Sequence, residues 1–235
     1  MMSLPIGFLL LIGFLVGSTP LSSWGLYVNA HSIMVVVGGT VGILAFATPS
    51  LVLKNLWKAV KEQFHRDPSM KDHLQELESL VATRTTNGVS KNELISYAVE
   101  LWQNGTTPEM FQVLISQKKE KLENQMLDAI QAVRNLAKYP PALGMTGTVM
   151  GLVSLFANLS AENKDKLGPA LGLAMTATFF GLIVANALLM PLADRMQVTH
   201  MRRKEYYTSI YQLLLLMNRR EPEMLILGEV RERAA

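Results

Sequence analysis

The sequence predicts an all-α, four-span polytopic membrane protein with a helical cytoplasmic loop domain and a cytoplasmic C-terminal helix. Three observations predict it. Only 17% of the 235 residues are charged, against about 25% in soluble domains. The charges are unevenly placed: residues 1–53, 139–161 and 167–193 contain no Asp, Glu, Lys or Arg. The segments between and after them carry apolar residues at helical spacing, broken by glycine and proline.

The first span is expected over Leu4–Val16, extending to Ser18. A helix needs about 20 apolar residues to cross a bilayer, so the end of this one falls in Ser18–Ala30. It does not read as a signal peptide, because Met1-Met2-Ser3 has no basic residue and no clear small-x-small site follows at a fitting distance. The second span is Ile33–Leu53, the third Pro141–Leu159 and the fourth Pro169–Leu192. The chain then divides into 1–53, 54–138, 139–193 and 194–235.

Orientation follows from the basic residues. Residues 54–138 hold 12 Lys/Arg against 11 Asp/Glu, and residues 194–235 hold 8 against 6. The connection between spans one and two has neither, and that between three and four has only Glu162, Lys164, Asp165 and Lys166. Basic segments stay inside, which places both termini and the long loop in the cytoplasm.

The long loop reads as helices. Leu51–Phe64 continues the second span until Asp67-Pro68. Lys71–Thr85 is amphipathic through Leu74, Leu77, Leu80 and Val81, and Asn87-Gly88 ends it. Ser90-Lys91-Asn92-Glu93 has the form of a capping box, opening a helix over Asn92–Gln103 that stops at Asn104-Gly105. Pro108 then begins another helix at its first position. Its stripe of Met110, Phe111, Leu114, Ile115, Leu122, Met126, Ile130 and Val133 predicts about thirty helical residues, roughly 45 Å at 1.5 Å each. Beyond the fourth span, Arg195–Met217 continues as helix, Arg202-Arg203-Lys204 fits a membrane-surface cluster, and Glu221-Pro222-Glu223 leaves a short tail.

Composition excludes several functions. There is no cysteine, hence no disulfide and no thiolate metal site. Histidines 31, 65, 73 and 200 are scattered without ligand spacing. The net charge of +3 arises from membrane-flanking residues, so nucleic acid is not needed as a partner. No Ser/His/Asp set or phosphate-binding glycine loop suggests an enzyme.

Inside the spans, small residues recur at four-residue steps: Gly38 and Gly42, Gly147 and Gly151, Gly168 and Gly172, then Ala177, Gly181 and Ala185. This spacing lets helix backbones approach closely in lipid. Thr146, Thr148 and Ser154 in the third span, with Thr176, Thr178 and Asn186 in the fourth, predict a cavity lined by polar groups. Oxygen donors suit hard cations. Pro141 and Pro191 each remove a helix hydrogen bond and are expected to act as hinges. No span carries a mid-membrane ionisable group, so a partner must supply the carboxylate an ion relay uses.

These residues resemble the MotA/PomA flagellar stator subunits over nearly the whole chain. The resemblance rests on Val36-Val37-Gly38-Gly39-Thr40, on Pro141 through Val153, and on Ala174 through Gly181, Ala185-Asn186 and Pro191-Leu192-Ala193. It implies a homopentamer around two copies of a MotB/PomB-like single-span subunit with an essential membrane aspartate and a peptidoglycan-binding domain. Lipid surrounds the assembly in the bacterial inner membrane. It implies that Thr148 and Thr178 face the ion path, that Pro141 and Pro191 couple ion passage to the cytoplasmic helices, and that Arg84 and Glu93 meet a rotor protein of the FliG type. The stretch Thr85-Thr86-Asn87-Gly88 between that pair departs from the family pattern. No cofactor is expected to be permanently bound. Thr148 in the third span points to sodium as the transported ion, with protons the alternative. An energiser of the ExbB/TolQ kind is the competing reading; its three spans and outside N-terminus fit this chain less well. A small-molecule transporter is expected to show inverted repeats, and none is visible.

Overall fold

The computed structural model describes residues 6–7, 9–10, 13–14, 17, 30–63, 77–78, 80–81, 92–157, 167–219 and 221–234. Among the described residues there is helix and no strand. The chain forms two compact units, one from residues 1–64 and 128–196, the other from 65–127 and 197–235. Most of the first expected span lies outside the described residues; the seven described between 6 and 17 are helical.

The first unit holds the apolar helices. Helix α1 covers Ala30–Ala47, with a wider π turn over Met34–Gly38. It stops well before the expected end at Leu53. Pro49 is the cause: its ring disfavours the helical region for the residue before it, and Thr48 is extended (φ −113°, ψ 122°). Helix α2, Ser50–Glu62, is therefore a separate helix. It buries Leu56 and Ala59 while exposing Leu51 and Trp57.

Helix α4 runs Pro108–Leu136 and α5 runs Tyr139–Ala157. Between them, the Lys138 N–H donates to the Asn135 carbonyl (3.2 Å). Helix α6, Leu167–Ile183, leads through a π turn at Val184–Leu189 into α7, Met190–Asn218. Three helical stretches among the described residues are long and apolar enough to cross a membrane: α1, one containing α5 and one beginning at Ala174. Helices α5 and α6 form the central pair of this unit, with α1 against both. On the far side of α5, Met145, Val149, Val153 and Phe156 are exposed in the single chain. Such a face suits lipid or other chains.

The second unit has a conventional apolar core. Leu77, Leu80, Leu94, Ile95, Phe111 and Ile115 are fully buried with Ile210, Leu213 and Leu214 of α7. Helix α3 is Glu93–Gln103, and its cap is Asn92. The Asn92 side-chain oxygen accepts from the Leu94 and Ile95 amides (2.8 and 3.3 Å), while its Nδ2 donates to the Tyr206 hydroxyl (2.8 Å). Such a cap stabilises a helix by about 1 kcal/mol. The expected cap, Ser90, lies outside the described residues. Since Asn92 caps, Glu93 stands at the first helical position, where it cannot close a capping box. In the connection from α3 to α4, Gly105 has φ +67°, a conformation that glycine adopts at little cost.

The tail is not a short loose end. Glu223–Ala234 forms helix α8, and Ile226 and Val230 enter the core. Glu221-Pro222-Glu223 starts this helix: the Leu225 and Ile226 amides donate to the Pro222 carbonyl (3.0 and 3.2 Å).

His200 of α7 is 6% exposed. Burial pushes its imidazole below the usual 6.5; Lys204 and Arg203 add to this and Glu123 opposes it. The unfolded chain therefore binds a proton near pH 6.5 that the folded unit still refuses. Stability is expected to be level above about pH 7 and to fall as pH drops below 6.5. Denaturant midpoints across that window check this, and His200→Gln should flatten the slope.

Candidate functional site

The geometry of the α5–α6 pair is set by missing side chains. A Cβ on Gly144 would lie 2.7 Å from the Ala177 carbonyl oxygen and 2.9 Å from the Thr178 Cα. On Gly147 and Gly151 it would meet the Cβ atoms of Ala177 and Ala174, each at 2.8 Å. On Gly181 it would collide with the Pro140 carbonyl. The two helices thus touch at Pro140, Gly144, Gly147 and Gly151, along about three turns of α5. Gly38, Gly42, Gly168 and Gly172 make no such approach to another helix in the single chain. Gly144 stands three residues from Gly147, so the four-residue steps do not include it. The stripe at i, i+3 and i+7 contains the expected four-residue step from Gly147 to Gly151 and a three-residue step besides.

This close approach brings Thr148 and Thr178 together. Their hydroxyl oxygens are 2.5 Å apart, and Thr148 Oγ1 is also 3.0 Å from both the Gly144 and Ala174 carbonyl oxygens. A threonine has one proton to donate and two lone pairs. When Thr178 donates to Thr148, the Thr148 proton serves the carbonyls. Four oxygens then converge between two helices, at a half-buried position.

Thr146 and Thr176 bond elsewhere, so the expectation that they line one cavity with Thr148 and Thr178 is corrected. Thr146 is exposed and donates back to the Ala142 carbonyl (2.9 Å). Thr176 is buried and pairs with Ser32 of α1 (2.9 Å). The reason is angular: at about 100° per residue, Thr176 and Thr178 point to opposite sides of α6, as do Thr146 and Thr148 on α5. Asn186 lies exposed in the π turn. Ser32 was not among the expected polar residues, because it lies just outside the expected second span.

Neither proline acts as a simple kink. Pro140 and Pro141 are the second and third residues of α5. The first four N–H groups of a helix have no partner within it, so proline there loses no bond. Expecting Pro141 to break a hydrogen bond is therefore corrected. Pro191 is the second residue of α7, two positions past the last residue of the π turn. A proline lacks its own N–H and crowds the carbonyl four residues back; the wider turn at Val184–Leu189 absorbs both effects.

Arg84 lies outside the described residues. Glu93 is exposed at the start of α3, where its carboxylate pairs with Lys118 (3.4 Å). Among the described residues no group of histidines or acids could hold a metal.

Comparisons with known proteins fit this geometry. The profile of the MotA/TolQ/ExbB proton channel family matches residues 72–208. The chain is 25% identical over 204 residues to motility protein A of Aquifex aeolicus (strain VF5), covering 80% of this chain and 77% of that protein. Its fold is similar to that of C. jejuni MotAB, with TM-score 0.79, 17% identity, and 98% and 94% of the two chains covered. The flagellar MotAB stator complex from Bacillus subtilis gives 0.77, 18%, 95% and 92%. A match over more than half the chain, to the apolar helices and the helical unit alike, assigns it: the chain is a channel component, not an enzyme, and belongs to the MotA/TolQ/ExbB proton channel family.

Proposed function

We propose that the chain is a ring-forming stator subunit of an ion-driven flagellar motor. In this reading it conducts cations at its interface with a MotB/PomB-like partner and turns their flow into torque. The observation that carries the reading is the Thr148–Thr178 pair, clamped between glycine-packed helices of a channel-family protein. The name of the Aquifex aeolicus relative, motility protein A, supports a motor over an energiser.

The spans lack a carboxylate, and a single-span partner with a membrane aspartate supplies it. Two hydroxyl and two carbonyl oxygens at Thr148, Thr178, Gly144 and Ala174 form a donor set suited to a dehydrating sodium ion. Protons remain the second candidate. Pro141 fixes the start of α5 and Pro191 follows the π turn, so both sit where span movement passes into the cytoplasmic helices. Arg84 and Glu93 are proposed to meet a FliG-type rotor protein. A homopentamer in the bacterial inner membrane, with both termini in the cytoplasm, completes the picture.

Thr148→Ala removes one oxygen ligand. Half-maximal swimming speed is expected to need about tenfold more sodium, as for the loss of about 1.4 kcal/mol of binding. Thr148→Ser should restore the wild-type curve. An unchanged curve in the alanine variant contradicts the assignment.

A further inference from the structure

A cavity of about 440 Å³ opens on the first unit at the place where the charge-free stretches stop. One wall is apolar: Ile43, Leu44 and Ala47 at the end of α1, Val52 of α2 and Leu136 of α4. Polar side chains line the cavity as well. Asp128, Gln131 and Asn135 recur at steps of three and four, which keeps them on one face of α4, and Lys138 follows in the turn before α5. Lys138 Nζ and Gln131 Nε2 both donate to the Asn135 side-chain oxygen, at 3.0 and 3.1 Å.

The cation lies beside Tyr139, where α5 enters its apolar stretch, and therefore at the membrane border. The amides follow, and the carboxylate of Asp128 comes last. Lys138 folds back to the level of Asn135, so seven residues of helix, about 10 Å, separate its ammonium from Asp128. A phosphate joined to an amine through two carbons fills that gap with a charge-assisted hydrogen bond at each end.

We propose that this cavity binds the headgroup of an ethanolamine phospholipid. The phosphate sits on Lys138, the primary ammonium points to Asp128, and the glycerol and first acyl carbons lie against Ile43, Leu44 and Leu136. The apolar wall and the border position select a lipid over a free zwitterion. Asp128 disfavours any headgroup that carries a second negative charge at its far end. A choline headgroup offers no N–H donor to the carboxylate, and a glycerol headgroup offers no charge. The site needs only the membrane reading; it stands whether or not the chain drives a flagellum.

The test uses the full chain, purified with whatever assembles with it. It is reconstituted in vesicles holding ethanolamine, choline and glycerol phospholipids of identical acyl chains in equal amounts. Lipids retained after mild detergent extraction are counted by mass spectrometry of the intact complex. The ethanolamine lipid is expected to be enriched about tenfold over the choline lipid, the ratio one charge-assisted hydrogen bond supplies. Lys138→Gln and Asp128→Asn should each remove most of that enrichment. Equal retention of the three lipids by the wild type, or preference for the glycerol lipid, overturns the proposal. So does full enrichment in both variants. Should a variant not fold, the headgroup comparison on the wild type decides alone.

Discussion

Gly181→Val is expected to separate α5 from α6 and to abolish ion passage. The side chain would be built directly onto the Pro140 carbonyl, with the Gly144 Cα only 3.3 Å from its first carbon. Both obstacles are backbone, so no rotamer change relieves them. Overpacking of this kind costs about 1–3 kcal/mol where side chains can yield, and more is expected where they cannot. The helices must part, and the 2.5 Å contact between Thr148 and Thr178 is lost with them. The measurement is thermal stability of the purified protein in detergent, beside motility of cells carrying the variant. Gly42→Val is the control, because a Cβ there meets nothing within 4 Å. Equal melting temperatures for the two variants would show that the close approach of α5 and α6 is not what holds the unit together.

Phe111→Ala is expected to destabilise the helical unit by about 3–5 kcal/mol, the usual range for removing a fully buried phenylalanine. Phe111 is 0% exposed and stacks on Trp102 with ring centroids 5.2 Å apart and planes 4° from parallel. Trp102 in turn donates to the Asn218 side chain (3.2 Å), and Asn218 donates to the Pro108 carbonyl (3.3 Å). One ring thus holds the ends of α3 and α7 and the start of α4 in register. Against a typical domain stability of about 5–15 kcal/mol, the loss is a large fraction. Urea unfolding followed by tryptophan fluorescence reads it. A loss below about 1 kcal/mol would mean that the stack is peripheral to the unit.

Much of this was legible in the sequence because single residues decide it. The gap in charge between Tyr139 and Ala161 marks α5, and Pro108 marks the start of α4 within a residue. Gly147, Gly151 and Gly181 stand in the helix contact for the reason their spacing suggested. What was not legible depends on context. The break at Pro49 was hidden by a hydropathy that continues through Leu53. Helix α8 was hidden because only tertiary burial of Ile226 and Val230 sustains so short a segment. The division of the hydroxyls required knowing which helix faces which. Thr148 and Thr178 share an interface, while Thr176 turns to Ser32. Periodicity fixes relative angles on one helix but not the neighbour met at each angle. The π turn before Pro191 was invisible as well, since proline alone does not say how the strain is absorbed.

Whether this channel-family chain works a flagellar motor is decided by deleting the gene in its own cells, counting flagella, and recording swimming speed against external sodium, with the gene restored as the control. Cells that keep their flagella but do not swim, and recover sodium-dependent swimming on restoration, are the predicted result. Deleted cells that swim at the parental speed at every sodium concentration would contradict it.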